Sequence, residues 1–114
     1  MARVSKQFLE AYKPLSTKEL KDPVIFVVDM IEGFVHEGAL HDEEINAATV
    51  HIEALIRDAE QRVIFVADSH PPKTREFNSY PSHCVIGTKE SEVIQELQPH
   101  VQELMRKNST NTFT

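Results

Sequence analysis

Two short apolar runs, Val24-Ile25-Phe26-Val27-Val28 and Val63-Ile64-Phe65-Val66-Ala67, stand out from an otherwise mixed chain. Both are continuous and rich in β-branched and aromatic residues, the pattern of strands buried on both faces rather than alternating one face to water. Between them Ile45, Ala48, Ile52, Leu55, Ile56 and Ala59 recur at helical spacing. Asp42 precedes this segment as an N-cap, and Glu43 and Glu44 suit the positive end of a helix dipole. Strand, helix, strand is a βαβ unit, so the two runs are expected to pair in parallel through a right-handed crossover.

The flanks are less strongly patterned. Val4, Phe8, Ala11 and Tyr12 predict a short amphipathic helix over residues 3–12, closed by Pro14 and lying on the core or on a partner. Thr88 caps a predicted helix through about Leu97, with Val93, Ile94 and Leu97 on its apolar face and Pro99 beyond it. Residues 102–108 predict a third, less apolar strand. The fold class is therefore α/β: an open parallel sheet with helices on both faces.

In such sheets ligands bind beyond the carboxyl ends of the strands. Both apolar runs end there in an aspartate, Asp29 and Asp68, and Asp68 opens an irregular stretch from Ser69 to Gly87 that holds three prolines. Loops of that length are commonly functional. In extended backbone Asp68 and His70 point the same way. With Glu76 and His83 they offer two nitrogen and two oxygen ligands, a mixture suited to zinc, manganese or iron. The competing reading is a polar loop with solvated histidines. The facial triad of an iron oxygenase uses the same ligand types, although nothing else in the chain supports it. His36, His41, His51 and His100 belong to no motif and read as surface residues.

Composition narrows the function. A chain of 114 residues is at most one small domain, and 26% charged with 40% hydrophobic residues reads as globular. The net charge of -6, with no clustered basic face, argues against nucleic acid or an acidic membrane as partner. The run Val24 to Val28 is too short to span a bilayer, and the N-terminus lacks the apolar stretch of a secretory signal. A single cysteine, Cys84, excludes an internal disulfide and suits a reducing cytoplasm, the expected location.

The segment Tyr80-Pro81-Ser82-His83-Cys84-Val85-Ile86-Gly87-Thr88, following Asp68-Ser69-His70 and Glu76-Phe77, resembles the nicotinamidase branch of the isochorismatase-like cysteine hydrolases. That family carries an aromatic-Pro-x-His-Cys-x-x-Gly-Thr stretch at this place. Val27-Val28-Asp29-Met30-Ile31-Glu32-Gly33-Phe34 is similar to its Val-Asp-x-Gln-x-x-Phe signature, with Ile31 and Glu32 replacing the usual polar pair. The resemblance runs from about residue 23 to the end. It divides the chain into an N-terminal helical extension, residues 1–22, and the N-terminal part of a hydrolase domain, residues 23–114.

The resemblance implies a role for each matching residue. Asp29 would be the general base and Lys107 the lysine that keeps it ionised and helps to stabilise the oxyanion. Asp68, His70, Glu76 and His83 would hold a divalent metal, zinc foremost, with manganese or iron as alternatives. Phe34 and Tyr80 would line a flat aromatic pocket, in which the metal of nicotinamidases holds the pyridine nitrogen. The implied activity is deamidation of nicotinamide to nicotinate and ammonia, a step of NAD salvage.

The chemistry is coherent, since a cysteine attacks only as thiolate and needs a base or cation beside it. The nucleophile is what these residues lack. The family's reactive cysteine follows a later strand, whereas Cys84 sits next to a ligand position, where the family has a non-catalytic cysteine. The family sheet is six-stranded, ordered 3-2-1-4-5-6, so these residues would make one half, with the first strand on an open edge that invites self-association into a homo-oligomer. This chain alone is expected to be inactive, whether a fragment or a truncation. Two alternatives stand beside the amidase: another isochorismatase-type hydrolase of a small amide, and a non-catalytic metal-binding remnant.

Overall fold

The computed structural model describes residues 5–7, 11 and 14–113. The helix expected over residues 3–12 lies largely outside them. Among the described residues the chain forms a three-stranded parallel sheet, with β1 (Val24–Val28), β2 (Arg62–Asp68) and β3 (Leu104–Lys107) side by side in that order. The register pairs Val28 with Val66, and Asp68 with Lys107. Pairing continues past the strand ends, where Asp29 N–H donates to Val66 O at 2.8 Å and Ser69 N–H to Lys107 O at 2.8 Å. The three carboxyl ends thus come out at one edge. This is the open α/β sheet that the apolar runs predict.

The sheet is accompanied by the short α-helices α1 (Glu32–Val35) and α2 (Thr49–Ala59). The helix expected behind Asp42 begins as a 3-10 turn, Glu43–Ala48, and becomes α-helical at Thr49. Asp42 caps it as expected, its carboxylate accepting from Glu44 N–H at 2.9 Å. Ile52 and Ile56 of α2 pack toward the core formed by Val27, Ile31, Val35, Phe65, Ala67, Ile94 and Leu97.

Two expectations fail. β1 is not buried on both faces: Val24, Phe26 and Val28 are 42%, 40% and 42% exposed, because β1 is an edge strand here and this face is only partly covered among the described residues, with the Phe113 ring 5.7 Å from that of Phe26. The continuous helix from Thr88 to Leu97 is replaced by two 3-10 turns, Lys89–Ser91 and Gln95–His100, the second containing Pro99. Between them the backbone bonds to α1 instead of to itself. Glu32 N–H donates to Glu92 O at 2.9 Å, Ile94 N–H to Met30 O at 3.0 Å, and Ile31 bridges Val93. Buried Glu32 then accepts from Gln95 N–H at 3.2 Å, so tertiary bonds outweigh the helical spacing. Thr88 caps neither turn; its hydroxyl donates to Val85 O at 2.6 Å.

The loop from Ser69 to Gly87 is pinned at its middle. His70 N–H donates to Cys84 O at 2.9 Å and Ile86 N–H to His70 O at 2.8 Å, a short parallel bridge that folds residues 71–83 over the sheet edge. Under this bridge Cys84 Sγ packs against Gly33, where an added Cβ would stand 2.6 Å from the sulfur and 3.0 Å from Glu90 O. No helix of the described residues is long and apolar enough to cross a membrane. Gly33→Ala is expected to destabilise the fold by about 1–3 kcal/mol, read as a lower urea midpoint, through overpacking. The loss should shrink in part when Cys84→Ala removes the nearest atom.

Candidate active site

Each strand end delivers one charged side chain to the same place. Asp29 leaves β1 with a φ of 60°, a left-handed conformation that aspartate tolerates better than most residues. Lys107, buried at the end of β3, donates from Nζ to Asp29 Oδ2 at 3.2 Å, to Ser109 O at 3.0 Å, and in a short contact to Asp68 Oδ1. One ammonium therefore serves two carboxylates, and its tighter partner is Asp68. Asp29 Oδ1 is buried and has no side-chain hydrogen-bond partner among the described residues.

The balance of charge differs from a simple ion pair. Burial pushes the Asp29 carboxyl above its ordinary value, the Asp68 charge adds to this, and Lys107 offsets only part of it. Lys107 therefore does not hold Asp29 below the usual carboxylate range, as a dedicated partner would. Burial works against the Lys107 charge, but the hydrogen bond to Asp68 and the two carboxylate charges outweigh it and raise its pKa.

Asp68, His70, Glu76 and His83 form a second cluster, with ligand atoms all within 4.8 Å of one another. A 3-10 turn, Arg75–Asn78, places Glu76. His70 Nε2 lies 3.2 Å from Asp68 Oδ2 and 2.6 Å from Glu76 Oε2, and His83 Nε2 lies 3.7 Å from the same Glu76 oxygen. Each ring has an oxygen partner behind it: His70 Nδ1 is 2.5 Å from Asn108 Oδ1, and His83 Nδ1 is 2.7 Å from Pro81 O. An Nδ1–H on each ring suits these acceptors and leaves Nε2 facing the cluster. Two imidazole nitrogens and two carboxylates thus converge on one point, the mixed nitrogen and oxygen donor set that suits a divalent metal.

All the expected site residues except His70 line one cleft of about 210 Å³: Asp29, Phe34, Asp68, Glu76, Tyr80, His83 and Lys107. His70 is fully buried behind it. Phe34 and Tyr80 stand beside the His83 ring, with centroids 5.8 and 6.3 Å away. Sequence reasoning missed Leu40 and Thr110, which also line the cleft, and Asn108 behind His70. Leu40 sits in a loop with no periodicity to mark it. Asn108 had a signal, since it directly follows Lys107 at a strand end. Of the histidines read as surface residues, His41 and His51 are exposed, while His36 and His100 are half-buried against Glu96 and Glu53.

Cys84 is fully buried, and its thiol is pushed up to about 12 by burial and then by the charges of Asp68, Glu90, Asp29 and Glu76. A thiol so placed is not a nucleophile near neutrality.

The parallel α/β sheet thus carries an aspartate-lysine pair and a metal-type cluster at one strand edge. The chain belongs to the isochorismatase family: the Isochorismatase domain matches residues 23–114. It is 33% identical over 102 residues to nicotinamidase 1 of Arabidopsis thaliana, covering 78% of this chain and 41% of that protein. N-carbamoylsarcosine amidase from Thermoplasma acidophilum superposes with a TM-score of 0.67 at 32% identity, over 82% of this chain and 56% of that one. Yeast nicotinamidase shares the fold at a TM-score of 0.67 and 20% identity, over 74% of this chain and 56% of that one. The chain thus spans about half the length of the relatives it matches.

At pH 8 a thiol with a pKa of about 12 is ionised in roughly one molecule in 10⁴, against about one in ten at the ordinary value of 9.0. Cys84 should therefore resist a disulfide-exchange reagent in the folded protein and react promptly in urea. Rapid labelling of the folded protein would return Cys84 to the candidate nucleophiles.

Proposed function

We propose that the complete protein is a metal-dependent cysteine amidohydrolase that converts nicotinamide to nicotinate and ammonia. The observation that carries this reading is the single cleft in which the unpartnered Asp29 oxygen, the shared Lys107 and the two-nitrogen, two-oxygen cluster face aromatic side chains. At about 210 Å³ the cleft suits one small planar amide. The likeness to the Arabidopsis nicotinamidase supports the choice of nicotinamide.

In this reading Asp29 takes the proton of a thiol that the complete protein supplies, since Cys84 is unsuited to the part. Sulfur bonds to the amide carbon, and the C–N bond breaks as the proton passes from Asp29 to the departing nitrogen, releasing ammonia. Water then cleaves the thioester, its proton taken up by Asp29 and returned to the sulfur. A carboxylate with a raised pKa suits both transfers, because it is a stronger base than a free aspartate and a ready donor afterwards. Lys107 stabilises the negative charge that develops on the carbonyl oxygen. Asp68, His70, Glu76 and His83 would hold the metal, zinc before manganese or iron, which supplies a Lewis-acidic anchor for a ring nitrogen. Phe34 and Tyr80 hold the ring flat, so that the amide is oriented before attack.

A second reading, hydrolysis of a different small amide at the same site, is favoured by the likeness to N-carbamoylsarcosine amidase. Relative kcat/KM on nicotinamide and on N-carbamoyl amino acids separates the two.

In the full-length protein Asp29→Ala should lower kcat/KM for ammonia release by about 10²–10⁴-fold. Full activity of that variant would remove the base from the scheme. Because Asp29 must be ionised to act and its pKa is raised, activity should fall on the acid side at a pH above the ordinary aspartate value of 3.8. His83→Ala should weaken zinc binding by at least about tenfold in competition with a chromophoric chelator.

A further inference from the structure

The residue after Lys107 has no part in the scheme above, yet it touches the centre of the metal cluster from behind. Asn108 Oδ1 lies 2.5 Å from His70 Nδ1, and the Thr74 hydroxyl donates to the same oxygen at 3.3 Å. Thr74 stands at the N-cap of the 3-10 turn that carries Glu76, but its side chain caps nothing there and reaches Asn108 instead. The amide oxygen thus faces both the His70 ring nitrogen and the Thr74 hydroxyl. The residue is otherwise exposed, so it fills no core space.

We propose that Asn108 is a positioning residue for the metal site: its carbonyl oxygen, oriented by Thr74, holds His70 in the Nδ1–H tautomer and presents the Nε2 lone pair to the cluster. The proposal rests on the metal reading of that cluster. His70 is completely buried, and Asn108 Oδ1 is the partner that its Nδ1 meets on that side. Without an acceptor behind it, the ring gains by turning its proton toward the carboxylates of Asp68 and Glu76, only 3.2 and 2.6 Å from Nε2. A ring protonated there cannot ligate. Asn108 also ties the two halves of the site together, because it follows the lysine that bridges Asp29 and Asp68 along β3.

The experiment compares wild type, Asn108→Ala and Asn108→Asp in the full-length protein, by zinc affinity in chelator competition and by nitrogen-proton NMR of the histidine tautomers in the metal-free protein at a pH where imidazole is neutral. Asn108→Ala should weaken zinc binding about 10- to 100-fold, the usual effect of losing an outer partner of a ligating histidine. It should also move His70 out of the Nδ1–H tautomer. Asn108→Asp keeps an acceptor oxygen and should restore both the tautomer and affinity within a few-fold of wild type. Unchanged affinity and tautomer in Asn108→Ala would overturn the proposal while leaving the metal site standing. Equal losses in both variants would overturn it as well, since rescue by an acceptor is its signature. Absence of zinc binding in wild type would overturn the metal reading and the proposal together, whatever the tautomer.

Discussion

The site depends on one buried ammonium shared by two carboxylates. Lys107 links Asp29 and Asp68 by hydrogen bonds, and each of the three stands at the end of a different parallel strand. Parallel pairing with matched strand ends makes this geometry available, because it brings three carboxyl termini to one edge without any loop having to reach across. Two carboxylates so close would repel, and burial adds to the cost of their charges. Asp68 has a second oxygen turned to His70, so the base pair and the metal-type cluster form one electrostatic unit rather than neighbouring sites.

Holding that unit still falls to backbone bonds that local propensity does not favour. The bridge between His70 and residues 84–86 fixes the loop, and Cys84 adopts a left-handed φ of 47° beneath it. On the other side α1 takes the backbone partners that a helix from Thr88 would have kept for itself. Ile31 and Glu32, which depart from the family signature, are both buried at this junction: Ile31 bridges Val93 and Glu32 accepts from Gln95. The departure thus falls on residues that brace the loop from behind.

Much of this was legible in the chain. The apolar runs gave β1 and β2 because continuous β-branched stretches have few other uses, and Asp42 announced its turn by chemistry that is local. The ligand cluster was legible through spacing and resemblance, since Asp68, His70, Glu76 and His83 lie close along the chain. The helix from Thr88 was misread because its apolar residues reach the core through backbone bonds to Met30, Ile31 and Glu32 rather than along one helical face. The exposure of β1 was misread for a related reason, as an apolar strand records the neighbours it is suited to, and Phe113 supplies only one of them here. Asn108 was missed because a hydrogen bond across 38 positions leaves no periodic trace.

The four side chains of the proposed metal cluster all come from the stretch between Asp68 and His83. Closing so short a loop costs little chain entropy, because that cost grows only with the logarithm of loop length. A cation that such a loop also held before the chain folds would stabilise the fold by less than its affinity for the finished cleft, because only the difference between the two states counts.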